Sequence, residues 1–572
     1  MPPTISRRAI LKSLTASSIL LLLGSNLIGC SDNNSSNGNS SVLAEFLHGV
    51  ASGDPLSDSV ILWTRVTPER AGTVLVNWEI ATDEAFSSLI DSGGGNTSAD
   101  VDYTVKVDVS GLQADTTYYY RFITGDRVSP VGRTRTAPLG ALTAATFAVI
   151  SCSNYPAGYF NVYREVAEQS VNAVLHLGDY IYEYASDGYA SERAEEFGRV
   201  VAPTNELLSL SDYRIRYAQY RTDSDLQSCH AAHPFIVVWD DHEVANDAWL
   251  GGAENHDPNS EGEYNTRRAA AIQAWYEWLP VRPPASEQEI IYRRFQYGDL
   301  LDIMMLDTRH VGRDKQVSYA DFANGGMIDS ASVRAALADS TRTLLGSEQL
   351  DWLKAGLTDS TARWQVLGQQ VLMGRQPLPE PVVRALSPEL GGENALSEAT
   401  AAVLAAVAAK GKTAGERTAE EQALLDSAIP LNPDAWDGYQ SEREDILNHA
   451  IQLRSRLVVL AGDTHNGWGS QLTTEQGTVA GVEFACASVS SPGAEAVIGE
   501  DSARLFGPLA VTLMDDLKYA NLVDRGYTVL SFFPEEVTNE WRYVSTIDSK
   551  SYTMNDQALT RLRAGRNDLL LS

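Results

Sequence analysis

Between residues 46 and 137, apolar and polar side chains alternate in short runs. Ser59-Val60-Ile61-Leu62-Trp63-Thr64-Arg65-Val66 and Val74-Leu75-Val76-Asn77-Trp78-Glu79-Ile80 read as strands, as do residues 103–109 and 117–124. Gly53-Asp54-Pro55, Gly93-Gly94-Gly95 and Asp115 punctuate them as turns. Several short strands at this spacing predict an N-terminal all-β sandwich of the immunoglobulin or fibronectin type III kind, with Trp63 and Trp78 in its core. From residue 145 the pattern changes. Continuous apolar runs at 146–150, 173–177, 235–239, 301–306 and 457–460 are separated by helical stretches such as 160–169 and 266–279. This predicts an α/β domain over 145–547, a layered sheet with flanking helices. Residues 380–430 are rich in Ala and Glu, with a helix expected at 399–409, and read as a surface insertion. Leu559, Leu562 and residues 569–571 give the 548–572 segment an amphipathic pattern, so it is expected to form a tail or a lid helix.

The first 29 residues read as an address. Arg7 and Arg8 precede an apolar stretch, 14–28, that is short and Ser-rich for a bilayer span, the arrangement of a twin-arginine export signal. Leu27-Ile28-Gly29-Cys30 resembles a bacterial lipoprotein box, which makes Cys30 the expected lipidation site; in the alternative, an ordinary signal is cleaved and Cys30 is incidental. Residues 30–45, rich in Ser and Asn over 32–41, would then be a flexible tether. The expected location is the periplasm or cell surface, and the expected partners are the twin-arginine machinery and, through Cys30, the bacterial membrane. That machinery exports folded proteins, often with a metal already inserted.

Composition narrows the field. With 75 acidic and 44 basic residues the 572-residue chain carries a net charge of −31, which argues against a nucleic-acid-binding surface. An anionic substrate would need local cations to approach it. The four cysteines, at 30, 152, 229 and 486, have no zinc-finger spacing and are too few for a disulfide scaffold. Cys229 and Cys486 could be buried thiols or a disulfide. The chain is expected to act as a monomer.

Four polar clusters follow buried-looking strands: Ser151-Cys152-Ser153-Asn154, Gly178-Asp179-Tyr180-Ile181-Tyr182-Glu183, Asp240-Asp241-His242-Glu243-Val244-Ala245-Asn246-Asp247, and Gly462-Asp463-Thr464-His465-Asn466. Open α/β sheets place their sites beyond the carboxyl ends of their strands. One Asp after a strand is often a helix cap, and Gly-Asp can be only a turn. Four such clusters brought to one rim would crowd carboxylates together, and crowded carboxylates call for bound cations. A thiolate (Cys152) and a phenolate (Tyr182) beside Asp and His suit a highly charged ion such as Fe3+. Asp240, Asp241, Asn246 and Asp463 suit Ca2+ or Mg2+. Clustered metals on such a rim suit phosphoryl transfer.

These blocks, together with Phe46-Leu47-His48-Gly49-Val50-Ala51-Ser52-Gly53-Asp54-Pro55, Leu306-Asp307-Thr308-Arg309, Asp434-Ala435-Trp436-Asp437-Gly438-Tyr439 and Glu540-Trp541-Arg542-Tyr543, resemble the alkaline phosphatase D (PhoD) family in combination and in order. The resemblance covers nearly the whole mature chain. It implies a metal-dependent phosphoric ester hydrolase with Fe3+ and Ca2+, the latter expected as two ions. By the same resemblance Cys152, Asp179, Tyr182 and His465 should hold iron, and Asp179 should bridge to calcium, which Asp463 also contacts. Asp241 takes the place of a bridging ligand, His242 lies near the substrate oxygens and can assist the leaving group, and Asn246 is a rival calcium ligand. Arg309 is expected either to contact phosphate or to pair with a neighbouring carboxylate. The leading expectation is a secreted, lipid-anchored alkaline phosphatase and phosphodiesterase acting by metal-activated in-line attack. A phospholipase-like or teichoic-acid-like polymer diesterase would use the same site. A glycan- or partner-binding lipoprotein, working through the sandwich and Trp63, is the non-enzymatic alternative.

Overall fold

The computed structural model describes residues 42–284, 290–387 and 389–572. The export signal, Cys30 and residues 30–41 of the tether lie outside these described residues.

Two large sheets face each other. The first has nine strands in the order Thr560–Gly565, Glu536–Tyr543, Gly526–Phe532, Ala145–Ile150, Ala173–His176, Pro234–Val237, Val50–Gly53, Ser59–Arg65 and Thr104–Ser110. The second has seven: Arg293–Tyr297, Leu301–Met305, Trp364–Gly368, Leu457–Ala461, Val479–Ala485, Gly467–Thr473 and Leu517–Asn521. Ala145–Ile150, Ala173–His176 and Pro234–Val237 run parallel in the first sheet. Four neighbours from Leu301–Met305 to Val479–Ala485 run parallel in the second. Strict alternation sets the layers. Ile303, Met305, Val366, Val458 and Leu460 enter the core between the sheets, while Met304, Leu306, Leu367, Leu457 and Val459 enter a second core beneath the outer helices. Across the first core Phe147 meets Tyr297 edge to face, with ring centroids 5.0 Å apart.

The 46–137 region does hold two packed sheets, but it is not an independent unit. Val50–Gly53, Ser59–Arg65 and Thr104–Ser110 belong to the nine-stranded sheet, and Val50–Gly53 pairs in parallel with Pro234–Val237. A five-stranded sheet that includes Val74–Ala81 and Thr117–Thr124 covers their outer face through Val60, Leu62, Val76, Trp78, Ile80 and Phe122. Trp78 lies in that core as expected, whereas Trp63 points the other way. Trp63 is fully buried against Trp278 and donates from Nε1 to the Glu277 carbonyl at 2.8 Å, so it offers no face to a glycan.

The 380–430 insertion forms helices Glu380–Leu386, Ala395–Lys410 and Ala419–Asp426, and Val382, Val383, Val403 and Ala406 pack into the second core. The C-terminal segment departs from expectation. It is not a helix: Thr560–Gly565 is the edge strand of the first sheet, antiparallel to Glu536–Tyr543. The reason is visible in Thr560-Arg561-Leu562-Arg563-Ala564, where period-two alternation points Arg561 and Arg563 outward and buries Ala564. No helix among the described residues is long and apolar enough to cross a membrane.

Candidate metal centre

The polar clusters leave the carboxyl ends of the parallel strands of both sheets and meet along one rim. Cys152 lies two residues beyond Ala145–Ile150, Asp179 three beyond Ala173–His176, and Asp463 two beyond Leu457–Ala461. Glycine permits the close approach: Gly178, at φ 105°, packs so tightly on the Asp240 backbone that a Cβ there would collide, and one at Gly462 would strike Ser151. Cys152, Asp179, Asp463 and His465 all have left-handed backbones, with φ between 54° and 63°. Such conformations cost on the order of 1–3 kcal/mol each and concentrate at functional sites. Crossed backbone bonds hold the bend, including Cys152 N–H to the Gly178 carbonyl (3.1 Å) and Ser153 N–H to the Asp179 carbonyl (2.8 Å).

Three groups of ligand atoms result, the atoms within each lying no more than 4.8 Å apart: Cys152, Asp179 and His465; Asp179, Asp241 and His242; and Asp240, Asp241 and Asp463. Asp179 belongs to the first two and Asp241 to the last two, so the groups form one continuous row. Tyr182 completes the first. Its hydroxyl donates to Asp179 Oδ2 at 3.0 Å, stands 3.1 Å from His465 Nε2, and accepts from Ser491 Oγ at 2.5 Å. His465 Nδ1 lies 2.6 Å from the Pro492 carbonyl, which can only accept; the proton therefore sits on Nδ1 and leaves a lone pair on Nε2. In the second group, His242 Nδ1 bonds Glu183 Oε2 at 2.7 Å, and both side chains are buried. Asn246 bonds Glu254 through its amide nitrogen (2.8 Å), which leaves its carbonyl oxygen without a hydrogen bond among the described residues.

Arg309 stands among the carboxylates of the rim. Its guanidinium is fully buried and already spent on carboxylates: Asp240 at 2.5 Å, Asp463 at 2.5 Å and Asp434 at 2.7 Å, with Asp241 at 3.8 Å. The ion pair, one of its two expected roles, is present. Arg313 adds a second cation on Asp434. Two cations against four carboxylates leave this pocket short of positive charge. The protein alone answers by holding protons: burial pushes the Asp463 carboxyl up to about 7 and Asp240 well above the usual range. Burial and the nearby Asp179 likewise raise the Cys152 thiol well above its ordinary value. Asp179 Oδ1 and Asp240 Oδ2 are buried without hydrogen-bond partners. Soft and hard anionic donors, buried, undercompensated and in part unbonded, fit bound cations.

Several supporting residues had no role assigned from sequence. Glu183 orients His242. Glu243 is buried and accepts from the amides of Asp179 (3.0 Å), Tyr180 (2.6 Å) and Asp240 (2.7 Å), which ties two ligand loops together. Asp434, Arg313 and Ser491 arrive from distant segments. Glu183 and Glu243 stood inside the clusters read from the chain; Ser491 carried no pattern that would single it out. The three described cysteines are free, buried thiols, so Cys229 and Cys486 are not paired; Cys486 Sγ lies 3.3 Å from Ser151 Oγ.

Comparison with known proteins gives a consistent result. The profile of the PhoD-like phosphatase family matches residues 147–541, and that of its N-terminal domain matches residues 32–138. Alkaline phosphatase D of Bacillus subtilis (strain 168) is 36% identical over 467 residues, covering 78% of this chain and 70% of the relative. A solved structure of PhoD superposes with a TM-score of 0.74 at 31% identity, covering 94% of this chain and 93% of the other.

Proposed function

The chain belongs to the PhoD-like phosphatase family and is a phosphoric ester hydrolase, and from that premise we propose that its row of ligand groups forms one site hydrolysing both phosphate mono- and diesters. In this reading Cys152, Asp179, Tyr182 and His465 hold Fe3+. Two Ca2+ ions take Asp179, Asp240, Asp241 and Asp463, with the Asn246 carbonyl completing the set. The sharing of Asp179 and Asp241 between neighbouring groups carries the proposal, because adjacent cations with common carboxylates suit an in-line displacement. Once bound, the cations neutralise the carboxylates, polarise the phosphoryl oxygens and make water a better nucleophile.

The residues supply the rest. A water oxygen bonds to phosphorus as the ester P–O bond breaks, and the departing alkoxide needs a proton. The buried Glu183 carboxylate lies 2.7 Å from His242 Nδ1 and favours a protonated ring there, a contact that cations on Asp179 and Asp241 leave in place. Of the second group only Asp179 and Asp241 serve as ligands: with His242 Nδ1 committed to Glu183, its Nε2–H is the proton available to the leaving oxygen. Arg309 keeps the Asp240, Asp434 and Asp463 carboxylates in place without touching substrate. Export and lipid anchoring at Cys30 are part of the same proposal, supported by Arg7-Arg8 and the Leu27–Cys30 box in the sequence.

The test is to purify the protein without chelators, measure iron, and assay a chromogenic monoester and diester with and without added Ca2+. Asp179→Ala is expected to lose iron and more than about a hundredfold of the activity together, since even outer-sphere changes at metal sites cost 10- to 100-fold. A variant that keeps both sinks the assignment.

A further inference from the structure

The mouth of the site is aromatic. The loop that carries Asp179 continues through Tyr182, Tyr184 and Tyr189; Tyr182 is buried, while the other two are partly exposed. Tyr182 lies 4.2 Å from the His242 ring, Tyr184 stands 5.4 Å from it, Tyr184 and Tyr189 are 5.7 Å apart, and Tyr189 lies nearly parallel to His465 at 6.3 Å. These rings are held in place. The buried Arg216 donates to the carbonyls of Tyr182 and Tyr184, and Ser186 N–H bonds the Thr204 carbonyl at 2.9 Å. Tyr189 donates from its hydroxyl to the Pro492 carbonyl at 2.8 Å. Tyr184 is different: its hydroxyl makes no hydrogen bond among the described residues, and the rings it meets there are those of Tyr189 and His242. This aromatic face stands beside His242, the residue assigned above to the leaving oxygen.

We infer that Tyr184 and Tyr189 form the surface on which the alcohol portion of the ester lies, and that the enzyme prefers phosphate esters of uncharged, ring-bearing alcohols. The inference rests on the phosphatase reading above and adds the substrate class. Its location follows from His242, because the alcohol leaves toward that ring and therefore past Tyr184. Flat rings stack on tyrosine without demanding a particular hydrogen-bond pattern. The exposed Glu254, bonded to Asn246 at the same mouth, disfavours a second anionic group on the alcohol.

The test compares a nucleoside 5′-monophosphate with glycerol 1-phosphate, both esters of uncharged primary alcohols, so that the leaving oxygen is alike and the ring-bearing part of the alcohol is what changes. The native protein should favour the nucleoside ester in kcat/KM by about tenfold, the size of one stacking contact. Tyr184→Ala should lower that ratio about tenfold and Tyr184→Phe should retain it. Tyr184→Leu fills the space without a flat ring and should behave like the alanine variant, which keeps the test open should Tyr184→Ala fail to fold. Hydrolysis of both esters with an unchanged ratio in the alanine or leucine variant overturns the preference alone. Hydrolysis of neither by the native, metal-loaded protein overturns the phosphatase reading and the preference with it.

Discussion

The His242 ring has two nitrogens, and Glu183 assigns the work of each. Because Glu183 accepts at Nδ1 from a fully buried position, removing its charge should leave the ring in place but weaken its hold on the second proton. Glu183→Gln is therefore expected to lower kcat by about ten- to a hundredfold, the range of outer-sphere changes, with iron content unchanged. Steady-state kinetics beside elemental analysis will check this; loss of iron in parallel would mean that Glu183 supports the ligands instead. Asp463 gives a second expectation. Its carboxyl, raised to about 7 by burial, keeps its proton until the pH passes that value, and a cation must displace the proton to bind. Calcium affinity should thus rise between pH 6 and pH 8. The sign for stability agrees: an acid whose folded pKa is raised loses stabilisation as pH climbs from its unfolded value of about 4 toward 7. Added Ca2+ should therefore raise the melting temperature more at pH 8 than at pH 6. Equal increments, read by calorimetry, would contradict it.

At the scale of elements, the C-terminal strand and the ligand loops show how period and position decide outcomes. Thr560–Gly565 covers the edge formed by Glu536–Tyr543, and Ala564 and Leu569 are buried there. Deleting residues 558–572 exposes that edge and the apolar surface beneath it, and should cost about 2 kcal/mol of stability and promote association. A denaturation midpoint equal to that of the full chain would show the strand to be a passive appendage. In the loops, the left-handed turns at Cys152, Asp179, Asp463 and His465 were not legible in the chain, because positive φ is uncommon outside glycine even for Asp and His, the types that adopt it more often. They adopt it where crossed backbone bonds and the Glu243 carboxylate over-determine the bend. The apolar strand cores were legible because fully buried parallel strands have to be continuously apolar.

For the whole molecule, the N-terminal region and the catalytic layers share one sheet. Val50–Gly53 pairs with Pro234–Val237, and Asp54 accepts a forked pair of hydrogen bonds from Arg293, at 2.7 and 3.1 Å, beside the second sheet. A chain lacking residues 42–137 should therefore fail to fold rather than survive as a smaller enzyme. Expression of that fragment, followed by circular dichroism and metal analysis, checks it; a soluble, metal-loaded fragment would show that the shared sheet is dispensable.

The layered α/β class and the residue types that wait at the strand ends follow from the chain alone, since burial imposes apolar runs and excludes carboxylates from them. The sequence also placed Cys152, Asp179, Tyr182, His242, Asp463 and His465 in clusters before any contact was known. Tertiary structure alone decided which of these meet, because the two sheets join residues as distant as Asp179 and His465. It gathered Asp240, Asp434 and Asp463 around the buried Arg309, because a buried guanidinium is held by the nearest uncompensated charge. It also set Trp63 on the face of the shared sheet turned away from the N-terminal core, since strand pairing between distant segments is a long-range choice that local pattern does not encode.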